Sequence, residues 1–139
     1  MRDLTRLRDM IRKHEGLSLK PYKCPTGHLT IGFGRNIEAV GISKAEAEYL
    51  LKNDIDRCIQ FLEKYEWFNR MTEARQDVVI NMVFNLGEFT FLQFKKFLAA
   101  LHYNDYDVAA KEMLNSRWSG QVGKRAKELA DIMKAGVYP

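Results

Sequence analysis

The segment from Val78 to Phe84 constrains the fold more than any other part of the sequence. It reads V-V-I-N-M-V-F and lies in a predicted helix that begins after Thr72 and that Gly87 is placed to end. A helix that is apolar on all sides is normally the buried centre of a bundle. We therefore expect a mainly helical core, in a chain of 139 residues that can bury about two-thirds of its unfolded surface.

Amphipathic helices are predicted on both sides of this segment. Asp3 is placed to cap a first helix that ends near His14. Ser43 and Glu46 form a capping-box pattern that opens a long helix running to about Lys64. Three more helices are predicted, opened by Thr90, by Asp105 or Asp107, and after Ser119-Gly120, and ended near Leu101, Leu114 and Ala135.

A stretch with turn and strand character separates the first two helices. Pro25-Thr26-Gly27 predicts a turn, and the residues from His28 to Ile31 alternate like a returning strand. Because proline cannot lie inside a central strand, we expect strand character to begin after Pro21, at about Tyr22. The expected fold is α+β and mainly helical, a single domain (1–139) of two lobes: a small β-hairpin lobe (about 15–42), a connecting helix (about 43–64) and a helical lobe (1–14 and 65–139).

Composition excludes several classes of protein. The net charge of +4 favours polyanionic partners, but the basic residues form pairs rather than the stripe expected of a nucleic-acid surface. No apolar segment is long enough to span a bilayer, so stable membrane insertion is not expected, and the N-terminus lacks the apolar core of a signal peptide. Two cysteines are too few for a disulfide framework, and the histidines show no metal-ligand spacing, so we expect no metal and no cofactor.

Glu15, Cys24 and Thr30 form a candidate catalytic set. Eight residues separate Glu15 from Cys24, and five separate Cys24 from Thr30. Glu15 stands at the C-terminal end of the first helix, where the helix dipole disfavours an ionised carboxylate and so suits a general acid. Each of the three residues also has a non-catalytic interpretation. Glu15 would be an exposed glutamate at a helix end, Cys24 a small buried thiol that is only a few per cent thiolate at neutral pH, and Thr30 a residue favoured by its β-propensity.

Three blocks of the sequence resemble the phage-type lysozymes, the bacteriophage endolysin family. The first is Glu-x8-Cys-x5-Thr followed by Ile-Gly-Phe-Gly, and the family has Asp or Cys at its middle position. The second runs from Asn81 to Gly87, and the third joins Ser116-Arg117-Trp118 to Arg125-Ala126-Lys127. The resemblance implies a lysozyme-like fold and a muramidase that cuts the β-1,4 bond between N-acetylmuramic acid and N-acetylglucosamine of peptidoglycan.

The resemblance also implies roles for single residues. It makes Glu15 the general acid, with Cys24 and Thr30 handling the water, and it places Arg125 across the cleft from Glu15. It implies that Arg35, where the family often has His, pairs with Asp54.

Two further residues are candidate contacts to substrate, and for both the sequence leaves an alternative open. Phe84 is a sugar-stacking ring or part of the core. Asn85 hydrogen-bonds an acetamido group or simply stops a helix. Only six residues separate Gly34 from Gly41, where larger members of the family have an insertion, so the small lobe should be minimal.

The sequence leaves alternatives to the muramidase reading. A lytic transglycosylase would use one Glu and release a 1,6-anhydro product, and a non-catalytic module would only bind peptidoglycan. We expect a monomer made in the host cytoplasm without a signal peptide, which reaches the cell wall after release by another factor and serves phage-mediated lysis.

Overall fold

The computed structural model describes all 139 residues and confirms the predicted α+β class. Helices account for 65% of the chain, and three short strands form one antiparallel sheet in the order β1-β2-β3. The chain divides into two compact units, Met1–Tyr49 and Leu50–Pro139. The predicted lobe boundaries stay predictions. No helix combines the length and the apolar character needed to cross a lipid bilayer.

The first unit contains the sheet and the short helices around it. Its elements are α1 (Thr5–Glu15), β1 (Ser18–Lys23), β2 (Leu29–Gly32), β3 (Arg35–Asn36), α2 (Ile37–Val40) and the start of α3 (Lys44–Leu62). None of its apolar side chains is fully buried, and Thr30 is its one buried residue. Hydrogen bonds of the sheet, turns and caps therefore hold much of this unit together.

Strand β1 begins earlier than predicted and includes Pro21. The strand is at the edge of the sheet, where a proline without an N–H is tolerated. Its pairing with β2 is also irregular between Ser18 and Tyr22, as in a β-bulge, so no ladder bond is required from Pro21.

The capping box predicted at the start of α3 is present. The Glu46 N–H donates to Ser43 Oγ at 3.1 Å, and the Ser43 N–H donates to Glu46 Oε1 at 2.8 Å. The Ser43 N–H and, next, the guanidinium of Arg35 hold the pKa of the Glu46 carboxyl below its ordinary value. The carboxylate is therefore a fixed anion at the beginning of α3.

The second unit is a helical bundle around α5 (Glu73–Leu86). Thr72 caps α5 by accepting from the Arg75 N–H, and α5 ends at Gly87 as predicted. Val78, Val79, Met82 and Val83 are buried, which confirms the central position of this segment. The unit also contains the end of α3, α4 (Glu66–Asn69), α6 (Glu88–Phe91), α7 (Lys95–His102), α8 (Tyr106–Leu114), α9 (Arg117–Val122) and α10 (Lys124–Ala135), and α5 packs against α6 and α10.

Two predicted helices in this unit are each divided in the structure. Thr90 does not cap a helix to Leu101 but lies inside α6, which follows directly after Gly87, and α7 starts at Lys95. The last segment is split into α9 and α10 by Gly123, whose φ of +60° ends one helix and redirects the chain into the next. The predicted stop of α10 at Gly136 is confirmed by a left-handed C-cap.

Candidate active site

Glu15 is the last residue of α1, and its carboxylate lies against the turn between β2 and β3. A Cβ added at Gly34 would be 2.5 Å from Glu15 Oε2. Gly34 also has a φ of +76°, which residues with a side chain rarely adopt. The glycine therefore gives this exposed carboxylate the space it occupies beside the sheet.

Cys24 begins the tight turn between β1 and β2. The Cys24 N–H donates to the His28 carbonyl at 2.9 Å, and the Gly27 N–H donates to the Cys24 carbonyl at 2.8 Å. The Cys24 Sγ lies 3.1 Å from the Oγ1 of Thr26. The turn predicted at Pro25-Thr26-Gly27 thus places a hydroxyl beside the thiol.

The surroundings of Cys24 favour its thiolate. Hydrogen bonds from the Thr26 hydroxyl, first, and then from the His28 backbone lower the pKa of the Cys24 thiol from 9.0 to about 7, with a smaller contribution from the Thr26 backbone. At pH 7 about half of such a thiol is ionised, rather than the few per cent expected of a free cysteine. Cys24 can therefore act as a base near neutral pH.

Thr30 is only 4% exposed and is the one buried polar residue of the chain. Its place in β2, opposite Tyr22 of β1 and Asn36 of β3, buries it at the centre of the sheet. The Thr30 hydroxyl donates to the His28 carbonyl at 2.9 Å, the same oxygen that accepts the Cys24 N–H. The structure thus brings Cys24 and Thr30 together at one peptide group.

The three candidate residues supply both proton acceptors and a proton donor. The Thr30 hydroxyl hydrogen is directed at His28, so towards a water its oxygen is an acceptor. The Cys24 thiolate is an acceptor as well. Glu15 is the one carboxylic acid among the three candidate residues, and a protonated carboxyl can donate. The set has the groups needed for general acid–base chemistry.

Arg35 and Asp54 have other partners than the predicted ones. Arg35 forms a two-pronged ion pair with Glu46, at 2.8 Å and 2.6 Å, and also donates to the Gly41 carbonyl. Asp54 pairs with Arg57 on the next turn of the same helix. The physical reason is proximity, because the capping box already holds the Glu46 carboxylate and Asp54 comes eight residues later, about 12 Å along a helix.

The candidate substrate contacts Phe84, Asn85 and Arg125 all belong to the second unit. Phe84 is 45% exposed, and Asn85 Oδ1 accepts a hydrogen bond of 2.9 Å from the indole N–H of Trp118, which is 2% exposed. The Arg125 guanidinium donates to Asn81 Oδ1, through Nε at 3.0 Å and also through Nη2. Their roles in binding substrate stay predictions.

A cavity of about 410 Å³ in the second unit includes two of these residues. Phe84 and Arg125 line it together with Leu51, Ile55, Ile59, Asp77, Ile80 and Asn81. The position of Asn81 as partner of Arg125 was missed from the sequence. The sequence feature that could have indicated this position is the amide side chain of Asn81, which interrupts the apolar segment one helical turn before Asn85.

The sequence matches the phage lysozyme family over residues 12–133. The chain is 32% identical over 130 residues to an endolysin of Acyrthosiphon pisum secondary endosymbiont phage 1, covering 90% of this chain and 86% of the relative. It is 27% identical over 160 residues to the probable T4-type lysozyme 1 of Dictyostelium discoideum, covering 94% of each, and a second such lysozyme of that organism is 28% identical.

The 160 aligned positions exceed the 139 residues of this chain, so the Dictyostelium relatives have insertions that this chain lacks. The family match nevertheless covers most of the chain and includes Glu15, Cys24 and Thr30. The chain therefore belongs to the phage lysozyme family and is a lysozyme-type glycoside hydrolase of peptidoglycan.

Proposed function

We propose that this protein is an inverting muramidase that hydrolyses the β-1,4 bond between N-acetylmuramic acid and N-acetylglucosamine. The observation that carries the proposal is the set of hydrogen-bond donors around the Cys24 sulfur, which supplies a thiolate near neutral pH beside the buried Thr30. A base of this kind is what activation of a water requires, and a passive packing cysteine would not need it.

In the proposed reaction Glu15 donates its proton to the glycosidic oxygen as the bond to the anomeric carbon breaks. The Cys24 thiolate removes one proton from a water while the oxygen of that water bonds to the anomeric carbon. Thr30 accepts the other hydrogen of the water and so orients the attacking lone pair. Charge and atoms balance: Glu15 ends as a carboxylate and Cys24 as a thiol, and exchange of a proton with solvent resets both.

Two routes compete with this one. A covalent thiolate nucleophile would give retention, with the acid and the nucleophile roughly 5 Å apart, whereas a water between acid and base needs roughly 6.5–9.5 Å and gives inversion. The family resemblance supports inversion, because Asp and Cys alternate at the position of Cys24. A lytic transglycosylase, the other route, would need Glu15 alone and would have no use for an activated thiolate.

The test is product analysis on purified peptidoglycan. Mass spectrometry should detect reducing muramic ends, whereas anhydro products, one water lighter, would identify a transglycosylase. Proton NMR in the first seconds, before mutarotation, should show the α anomer. A β product or a glycosyl adduct on Cys24 would overturn the water mechanism. Products that end in N-acetylglucosamine would overturn the proposed bond.

We also propose a role in phage-mediated lysis of the host, with another factor opening the way to the wall. The endolysin relative supports this role. A bacterial culture that expresses the protein should stay turbid until chloroform permeabilises the inner membrane, and then clear. Clearing without chloroform would show that no releasing factor is needed.

We also propose that the protein acts as a monomer. Glu15, Cys24 and Thr30 all come from one unit of one chain, which supports this proposal, and light scattering can check it.

A further inference from the structure

We infer that Glu38 is a positioning residue for Cys24 and Thr30, because it holds the one peptide group to which both are bonded. The inference rests on the proposed function and deepens it. Glu38 acts through these two residues and is assigned no contact with the substrate.

The peptide group between His28 and Leu29 is the meeting point of the candidate water-handling residues. Its carbonyl oxygen accepts the Cys24 N–H and the Thr30 hydroxyl, each at 2.9 Å. A carbonyl oxygen has two lone pairs, so these two bonds use its full capacity. The direction of this carbonyl therefore determines both the closure of the turn at Cys24 and the orientation of the Thr30 hydroxyl.

The N–H of the same peptide group points at Glu38. The Leu29 N–H donates to Glu38 Oε1 at 3.0 Å, and Glu38 Oε2 lies 3.6 Å from Nδ1 of His28. Because a peptide group is planar, it cannot rotate without breaking the bonds on both of its sides. A carboxylate at the N–H also polarises the peptide and strengthens the carbonyl as an acceptor.

Glu38 itself stands on a short, capped helix. Asn36 Oδ1 accepts the Ala39 N–H at 3.1 Å, and the Gly41 N–H donates to the Ile37 carbonyl at 3.0 Å. This helix, α2, packs beside β2. Since no apolar side chain of the first unit is fully buried, polar bonds such as this one have a large share in fixing the turn.

The bond to Leu29, rather than the charge of Glu38, should carry the effect. The Glu38 side chain is 49% exposed and its distance to the His28 ring is long, and exposed ion pairs contribute little. Two conservative variants separate the contributions. Glu38→Gln keeps an acceptor at the same reach and removes the charge. Glu38→Asp keeps the charge but is one methylene shorter, which withdraws the acceptor from Leu29.

The first measurement is steady-state hydrolysis of peptidoglycan fragments. We expect Glu38→Asp to lower kcat about tenfold, near the upper end of what one hydrogen bond contributes, with KM within about twofold. Glu38→Gln should stay within about threefold of wild type in kcat. The matched control is Glu48→Gln, an exposed glutamate of the same unit, which should leave both constants unchanged.

The second measurement is alkylation of Cys24 by iodoacetamide at pH 7, read on the Cys24 peptide by mass spectrometry so that Cys58 does not interfere. We expect at least about threefold slower alkylation in Glu38→Asp, since the turn that the His28 carbonyl closes at Cys24 loosens, its donors, led by the Thr26 hydroxyl, are no longer held beside the sulfur, and less thiolate is present. Glu38→Gln should react at nearly the wild-type rate. A role in overall stability alone would change the melting temperature and leave this rate intact.

The inference is overturned if Glu38→Asp keeps wild-type kcat and alkylation, or if Glu38→Gln loses more than Glu38→Asp. If Glu38→Asp does not fold, amide hydrogen exchange decides: an unprotected Leu29 amide in the wild type overturns the inference, and equal protection in wild type and Glu38→Gln supports it. Alkylation and exchange need no catalysis. They therefore test Glu38 even if Glu15→Gln stays active and the proposed function fails.

Discussion

Thr26 should control the pH at which this enzyme becomes active. Its hydroxyl is 3.1 Å from the Cys24 sulfur and is the largest of the causes that bring the pKa of that thiol from 9.0 to about 7. The substitution Thr26→Val removes the hydroxyl and keeps the shape of the side chain. Because the donor stabilises the thiolate, its loss must raise the pKa of Cys24.

The size of the effect follows from the share of thiolate. At pH 7 a thiol with a pKa of about 7 is about half ionised, and an ordinary cysteine thiol is only a few per cent ionised. Thr26 is the largest of several donors, so Thr26→Val should raise the pKa of Cys24 part of the way back towards 9.0. The thiolate at pH 7, and with it hydrolysis at that pH, should then fall several-fold, on the order of fivefold.

Two assays check this shift against a matched control. The acidic limb of kcat against pH, and the rate of Cys24 alkylation against pH, should both have midpoints near 7 in the wild type and clearly higher midpoints in Thr26→Val. Thr26→Ser retains the hydroxyl and should behave like the wild type. If Thr26→Val keeps the wild-type midpoint in both assays, the hydroxyl does not stabilise the thiolate and our account of the base is refuted.

Three more predictions concern the candidate catalytic residues and the first unit. Glu15→Gln keeps the shape but removes the proton, so turnover should fall by at least about 10²-fold; near-normal clearing of a peptidoglycan suspension by folded protein would exclude Glu15 as the acid. Cys24→Asp should keep activity and move its acidic limb to lower pH, while Cys24→Ala should lose most turnover; full activity in the latter would mean that the thiol only packs. A double-mutant cycle on Arg35→Ala and Glu46→Ala should give a coupling of about 0.5–1 kcal/mol, since both side chains are about 40% exposed, and the cycle with Asp54→Ala should give none.

Local sequence rules identified the elements that hold the candidate site. The capping box at Ser43 and Glu46, the turn after Cys24 and the helix end at Glu15 each depend on residues within a few positions of one another. Such patterns can be recognised in the sequence because the hydrogen bonds that they predict are local. The burial of Val78, Val79, Met82 and Val83 within α5 could be predicted as well, because a helix that is apolar on most of its sides packs in the interior.

Contacts between segments that are distant in the sequence could not be predicted in the same way. Several carboxylates were available to Arg35, and the choice of Glu46 depends on where the capping box fixes that side chain. Likewise the bond from Leu29 to Glu38 joins a strand to a helix nine residues later, and no spacing rule predicts it. The prediction that Thr90 caps a helix ending near Leu101 was wrong for a related reason. The chain forms the short helix α6 directly after Gly87, so tertiary packing and not the local capping pattern decides where the next helix begins.

The turn between β1 and β2 explains physically how a cysteine can supply the base that we propose at position 24. A general base works best when its pKa is close to the working pH, because it is then both substantially ionised and a strong acceptor. Aspartate is ionised at neutral pH but is a weak base, and an ordinary thiol is a stronger base that is mostly protonated. By giving the sulfur donors from Thr26 and His28, the turn brings the pKa of Cys24 to about 7, between these limits. The proposed base and the turn that adjusts its pKa are therefore one unit, so replacing Cys24 also changes which donors the turn requires.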